Sequence, residues 1–172
     1  MPGVFVGVGS NVDPELNVPR GVQLLAQRVP VVAVSTFYLT PPEGGRSQPP
    51  FVNGVLQLGQ AVPSPEELKW GVLRAVEDAL GRTRTADKYA PRVIDLDLLL
   101  YGDLVLDTSG LRIPDPEITR RAYVAVPLWE LAPCLVLPGD NLPIADVAAA
   151  LGGGQMEPLP VLTDRLRSMA GV

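Results

Sequence analysis

The sequence predicts an α+β fold: a ferredoxin-like sandwich in which helices pack on a mainly antiparallel sheet, with extra elements at the C-terminal end. Three observations lead there. The chain has 172 residues, 47% of them hydrophobic, which suffices for one domain with a core of its own. Short β-branched runs and stripes of helical period follow one another in the order β-α-β-β-α-β. The 17 glycines and 19 prolines punctuate these runs yet stay below the roughly 25–30% share that marks disorder.

Val4 to Val8 is short, β-branched and stopped by Gly9-Ser10-Asn11, so it reads as a buried first strand ending in a turn. Pro19 suits the first turn of the following helix, and Val22, Leu24, Leu25 and Val29 give its apolar stripe. Val31 to Leu39 and Val52 to Leu58 read as the second and third strands. The Pro/Gly-rich residues 40–50 between them form a loop long enough to be functional. Ser64-Pro65-Glu66-Glu67 is a helix start, with Ser as N-cap, Pro at the first helical position and Glu closing a capping box. Leu68, Val72, Ala75, Val76, Ala79 and Leu80 continue that helix to a stop at Gly81. Val93 to Tyr101 reads as the fourth strand, with Gly102-Asp103 turning into a hairpin with Leu104 to Leu106. Short helices are expected over Tyr123 to Leu131 and Pro143 to Leu151. Residues 1–151 then make the domain, and 152–172 a Gly-rich linker with a loosely packed tail.

Composition narrows the chemistry. The chain contains no histidine, which removes every Ser-His, Cys-His and His-ligated zinc mechanism, and Cys134 alone makes no internal bridge. The net charge of −5 argues against non-specific binding to nucleic acid or anionic membranes. No apolar stretch approaches the ~18 residues of a membrane span, and Arg20 is the first basic residue, too late for a signal peptide; a soluble cytoplasmic protein is expected.

Two segments stand out. Asp95-Leu96-Asp97 lies on the fourth strand, where alternation puts both carboxylates on one face and Ile94, Leu96 and Leu98 on the other. Such a pair calls for cationic compensation, by arginines or by Mg²⁺, although an exposed edge-strand face accounts for so common a triplet equally well. Immediately upstream, residues 81–92 carry Arg82, Arg84, Lys88 and Arg92 against Asp87 alone. A basic loop feeding a two-carboxylate strand supplies both halves of a metal-nucleotide site. Phe51 and Asn53, beside the 40–50 loop, suit the face and edge of a flat heterocycle, with core packing and turn capping as their ordinary uses. There is no G-x-x-x-x-G-K-[ST], and Val12 spoils a dinucleotide fingerprint that begins at Gly7.

Val8-Gly9-Ser10-Asn11, Ser35 to Pro42, Gln48 to Asn53, Gly81-Arg82, Pro91-Arg92-Val93-Ile94-Asp95-Leu96-Asp97 and Ile113-Pro114-Asp115-Pro116 together resemble the 6-hydroxymethyl-7,8-dihydropterin pyrophosphokinase family of folate biosynthesis. The resemblance implies transfer of a pyrophosphoryl group from Mg-ATP to the pterin hydroxymethyl group, with release of AMP. It implies that Asp95 and Asp97 hold two Mg²⁺ ions and that Arg82 and Arg92 clamp the phosphates. Arg74, Glu77, Arg84, Tyr89, Asp115 and Arg121 fall at nucleotide-side positions. Thr40, Pro41, Pro42, Glu43, Phe51, Asn53 and Tyr123 match the pterin pocket. Asp115 stands where the family commonly has His, Glu43 where Val or Leu is usual, and Arg74 where Gln is frequent. The resemblance leaves association with neighbouring folate-pathway enzymes open, while length leaves no room for fusion to them. Two other classes compete: a catalytically weakened homologue that binds nucleotide or pterin as a regulator, and a ferredoxin-like interaction or RNA-binding module, against which stand few aromatics and an acidic balance.

Overall fold

The structure, a computed structural model, describes residues 3–44 and 47–172; Gly45 and Arg46 of the expected loop lie outside the described residues. In chain order the strands are β1 (Val4–Ser10), β2 (Val31–Val34), β3 (Tyr38–Thr40), β4 (Phe51–Leu58), β5 (Asp95–Tyr101), β6 (Leu106–Thr108), β7 (Leu111–Ile113) and β8 (Glu157–Pro158). The helices are α1 (Pro14–Ala26), α2 (residues 65–79), α3 (Ala122–Leu131), α4 (Ile144–Leu151) and α5 (Pro160–Ala170), with a 3-10 turn at Pro116–Thr119. The main sheet runs β5-β1-β4-β3-β8 with β2 also on β4, all its pairs antiparallel, which is the expected α+β sandwich.

Strand alternation divides the core between two faces. Val4, Val6 and Val8 of β1 point to one side, where Val18, Val22 and Leu25 of α1, Val76 of α2 and Leu162 and Leu166 of α5 cover them. Phe5 points to the other, against Val124, Ala125 and Leu128 of α3 and Ile144 and Val147 of α4. α3 and α4 thus give the sheet a second covered face.

Several local expectations are corrected. Pro14, not Pro19, occupies the first turn of α1; Pro19 lies buried within the helix. The expected second strand is broken into β2 and β3. At the break the Ser35 hydroxyl accepts from Val55 N (2.9 Å), and Thr36 N donates to Glu130 (2.9 Å). There the Phe37 ring fills the space over Gly54, where a Cβ would come within 2.5 Å of it. β5 begins at Asp95 rather than Val93, because Asn11 N takes the carbonyl of Arg92 and the Ser10 hydroxyl takes that of Val93. The turn at Gly102-Asp103 does not fold a hairpin back on β5, since β6 pairs with β7. The Ser64 cap is as expected, its hydroxyl accepting from Glu67 N, but α2 passes through a π-helical turn at Leu68–Leu73 before resuming as an α-helix.

The segment expected to pack loosely is seated on the sheet. β8 pairs with β3, Phe37 N donates to the Thr163 hydroxyl (2.9 Å), and Leu162 and Leu166 are buried. Leu166→Ala should therefore cost about 2–5 kcal/mol, as truncation of a fully buried leucine does. Chemical denaturation checks this, and a change under 0.5 kcal/mol would mean that the helix contributes nothing to stability.

Candidate active site

A cavity of about 330 Å³ opens over the face of the sheet that carries Asp95 and Asp97. Its floor is a row of hydrogen-bonded neighbours: Asn53 on β4, Gly9 on β1 and Asp95 on β5, with Gly7 opposite Asp97 one step along. Glycine is required at position 9 because a Cβ there would lie 2.8 Å from Asn53 Oδ1. The cavity brings together Thr40, Pro41, Glu43, Phe51, Asn53, Tyr89, Arg92, Asp95, Asp97, Asp115, Arg121 and Tyr123 from the expected set.

At the acid end, Asp95 is ion-paired to Arg82 (2.5 Å) and to Arg92. Behind them lies Glu77, only 4% exposed, which pairs with Arg82 (2.5 Å) and Arg84 and accepts from the backbone N–H of Leu96 (2.8 Å). That N–H lies between the two aspartates, so Glu77 braces the strand as well as its arginines. Burial raises the Glu77 pKa, against the Leu96 hydrogen bond and Arg82, which lower it. Asp97 differs: its carboxylate faces the open cavity and has no hydrogen-bond or ion-pair partner among the described residues. Crowding by protein, then by Asp95, Asp115 and Glu77, holds its pKa well above the ordinary carboxylate range.

Asp115 lies at the same end and caps the 3-10 turn, accepting from Glu117 N (2.8 Å). Burial raises its pKa too, chiefly against that hydrogen bond. Asp115→His should keep turnover equal to or faster than the parent while lowering stability by about 1 kcal/mol through the lost cap. Steady-state kinetics with a melting curve check both, and complete loss of turnover would mean that the acid has its own catalytic role.

At the other end, the Asn53 amide donates to Thr40 Oγ1 (2.8 Å), across from Phe51 and Tyr123. Glu43 reaches over to accept from the Tyr123 hydroxyl (2.9 Å) and to pair with Arg121 (3.0 Å). Arg121 is also held by Glu117 (2.7 Å). Burial, followed by the Glu43 charge, pushes the Tyr123 pKa up. Asn11 ties the walls together. Its amide donates to Gln48 Oε1 (3.0 Å) and the carbonyl of Pro49 (3.2 Å), while its Oδ1 accepts from Arg92 N (2.8 Å).

Five expected residues do not line the cavity. Arg82, Glu77 and Arg84 stand one layer back, joined to it through Asp95 and Leu96. Pro42 does not reach it, and Arg74 instead stacks its guanidinium on Trp70 at 4.9 Å. Glu117 was not foreseen, although its position four residues before Arg121 on a helical turn is a recognised pairing signal.

A cavity that sets two carboxylates and their arginines at one end and aromatic and amide groups at the other belongs to the phosphotransferase class of enzyme. More particularly, the chain belongs to the 7,8-dihydro-6-hydroxymethylpterin-pyrophosphokinase family, whose model matches residues 5–133. Among curated relatives it is similar to the 2-amino-4-hydroxy-6-hydroxymethyldihydropteridine pyrophosphokinase of Pseudomonas aeruginosa, 38% identical over 91% of this chain and 96% of the relative. It is likewise similar to those named for the same activity in Synechocystis sp. (37% identical, 79% of this chain, 69% of the relative) and Haemophilus influenzae (33%, 80% and 86%). No described helix is long and apolar enough to cross a membrane.

Proposed function

We propose that this enzyme transfers the pyrophosphoryl group of ATP to the hydroxymethyl group of 6-hydroxymethyl-7,8-dihydropterin, yielding AMP and the pterin diphosphate. Family membership identifies the reaction class, and the observation that carries the assignment of the site is the Asp97 carboxylate, without a hydrogen-bond or ion-pair partner among the described residues, beside the arginine-held Asp95.

The donor set fits Mg²⁺. Among the described residues no group of three or more acids, histidines or cysteines forms a closed cage for a metal ion. Two carboxylates of β5 with an open cavity before them suit a hard cation that takes its remaining ligands from water and phosphate oxygens. Asp95 and Asp97 would hold one ion or the two that the resemblance implies; bound there, Mg²⁺ supplies charge neutralisation and alignment of the transferring group.

The chain's own residues do the rest. Arg92 offers its guanidinium fork to phosphate oxygens at the cavity wall, held by Asp95, and Arg82, one layer back on Asp95 and Glu77, reaches them by exchanging a carboxylate for a phosphate oxygen. Asn53 and Thr40 present donors and acceptors to a heterocycle's edge, while Phe51 and Tyr123 offer faces. The Asn53–Gly9–Asp95 row leaves two interstrand spacings, about 10 Å, between these ends, a span suited to a pterin with its hydroxymethyl arm directed at the acid pair.

The test is AMP formation by the purified protein from ATP and Mg²⁺, with and without the pterin and with an EDTA control. Pterin-dependent, EDTA-sensitive AMP supports the assignment. Uptake of either ligand without AMP would replace it by a regulatory role, with Asp115 and Glu43 as the first suspects.

A further inference from the structure

Glu43 lines the cavity, and a single oxygen of its side chain serves two partners there. Glu43 Oε1 accepts from the Tyr123 hydroxyl (2.9 Å) at the heterocycle end and pairs with Arg121 Nη1 (3.0 Å). Arg121 in turn is held by Glu117, which follows Asp115 of the acid end into the 3-10 turn. Backbone constraint delivers Glu43 to this position. Pro41-Pro42 stiffens the approach, and Gly44, at φ 75°, turns the chain against the Tyr89 ring, where a Cβ would lie 3.4 Å from it.

The cavity is rich in carboxylates, and among the described residues its cations are Lys88, Arg92 and Arg121. The Lys88 ammonium lies 4.8 Å over the Tyr89 ring, and Arg92 is held by Asp95. Arg121 is held by two carboxylates at once, Glu117 on Nε (2.7 Å) and Glu43 on Nη1 (3.0 Å). A guanidinium grips a phosphate through two neighbouring N–H groups, either Nε with Nη2 or Nη1 with Nη2. Each of these forks is half taken, so a phosphate gains a bidentate grip on Arg121 only by displacing a carboxylate. Glu117, four residues before Arg121, moves with it and makes the shorter bond. Glu43 comes from a distant loop, is 33% exposed and divides its oxygen with Tyr123, so Glu43 is the partner that yields.

We propose that Glu43 sets the nucleotide affinity of this enzyme by competing with the phosphates for Arg121, while the same oxygen keeps the Tyr123 ring in place for the heterocycle. It is a positioning residue, acting through Arg121 on one ligand and through Tyr123 on the other. The proposal rests on the pyrophosphokinase assignment and adds to it a residue that weakens the enzyme's hold on ATP.

Calorimetric titration of ATP with Mg²⁺, and separately of the pterin, tests it in the parent protein, Glu43→Gln, Glu43→Leu, Arg121→Ala and the double variant Arg121→Ala/Glu43→Gln. Glu43→Gln and Glu43→Leu should each tighten ATP binding about three- to fivefold, the worth of one partly exposed ion pair. On the Arg121→Ala background Glu43→Gln should change ATP affinity less than about 1.5-fold, because the contested cation is gone. Glu43→Gln should keep pterin affinity within about twofold of the parent, its amide oxygen still accepting from Tyr123, whereas Glu43→Leu should weaken it about threefold or more. Unchanged or weaker ATP binding in Glu43→Gln, or equal tightening with and without Arg121, would overturn the competition. Equal pterin affinity in Glu43→Gln and Glu43→Leu would overturn the part played through Tyr123. Failure of the parent protein to take up ATP would overturn the pyrophosphokinase assignment and this role with it.

Discussion

Asp97→Asn abolishes pyrophosphoryl transfer, by a factor on the order of 10³ or more, and leaves a folded protein that is more stable than the parent at neutral pH in the absence of divalent cations. The loss follows from the assignment of Asp97 as a metal-holding carboxylate, for which an amide is a poor substitute. The gain follows from linkage. The folded-state pKa of Asp97 lies above its unfolded value, so between those two values the native state binds more protons than the unfolded one. Native stability is therefore greatest below the unfolded pKa, about 3.9, and declines as pH rises through the raised one. Asp115 and Glu77, also raised, add to the same decline. Melting temperatures measured from pH 4 to 8 in EDTA should fall with pH more steeply for the parent than for Asp97→Asn. Mg²⁺ should recover the parent's melting temperature and leave the variant unmoved. Parallel melting curves would show that the carboxylate is not crowded, and retained turnover would remove it from the metal site.

Arg82→Ala lowers kcat by a factor of about 10²–10³ while changing ATP affinity only a few-fold. In the structure this guanidinium already satisfies Glu77 and Asp95. Exchanging one carboxylate for a phosphate oxygen gains little in the ground state; the gain comes when charge builds on the transferring group. The same change also leaves Glu77, 4% exposed, with only Arg84 and the Leu96 N–H, at a cost of roughly 1–3 kcal/mol. The two consequences separate in the double variant Arg82→Ala/Glu77→Gln, which should regain stability without regaining kcat. Single-turnover kinetics and nucleotide titrations check the first part, and a loss confined to KM would make Arg82 a binding residue only.

What the sequence made legible was whatever depends on near neighbours. Alternation placed Asp95 and Asp97 on one face, Ser64 marked its helix start, and ordered motifs identified the family over most of the chain. What it hid depends on distant partners. The break between β2 and β3 exists because Phe37 lies over a glycine seventeen positions away and Thr36 answers to Glu130. The packing of α5 was invisible because Gly152–Gly154 reads as slack, while Leu162 and Leu166, at helical spacing, are too few to announce a core. At the site, composition found the basic loop but not its ranking. Arg92 lines the cavity, whereas Arg82 and Arg84 hold Glu77 behind it, a distinction that no spacing within residues 81–92 encodes. The π turn likewise has no local signature in Lys69-Trp70-Gly71, since tertiary anchoring of Leu68 and Leu73 produces it.

The Asn53–Gly9–Asp95 row divides responsibility between framework and loops. The distance between the two ends of the cavity is a multiple of the sheet's hydrogen-bonding pitch, the least adjustable length in a protein. The loops at residues 41–44, 47–50 and 81–92 supply wall residues of the cavity, among them Glu43, Gln48, Lys88, Tyr89 and Arg92. They have no means of stretching or shortening that span. Variation in the loops should therefore drift through rate and affinity, while the choice of which atoms meet is inherited unchanged from three adjacent strands.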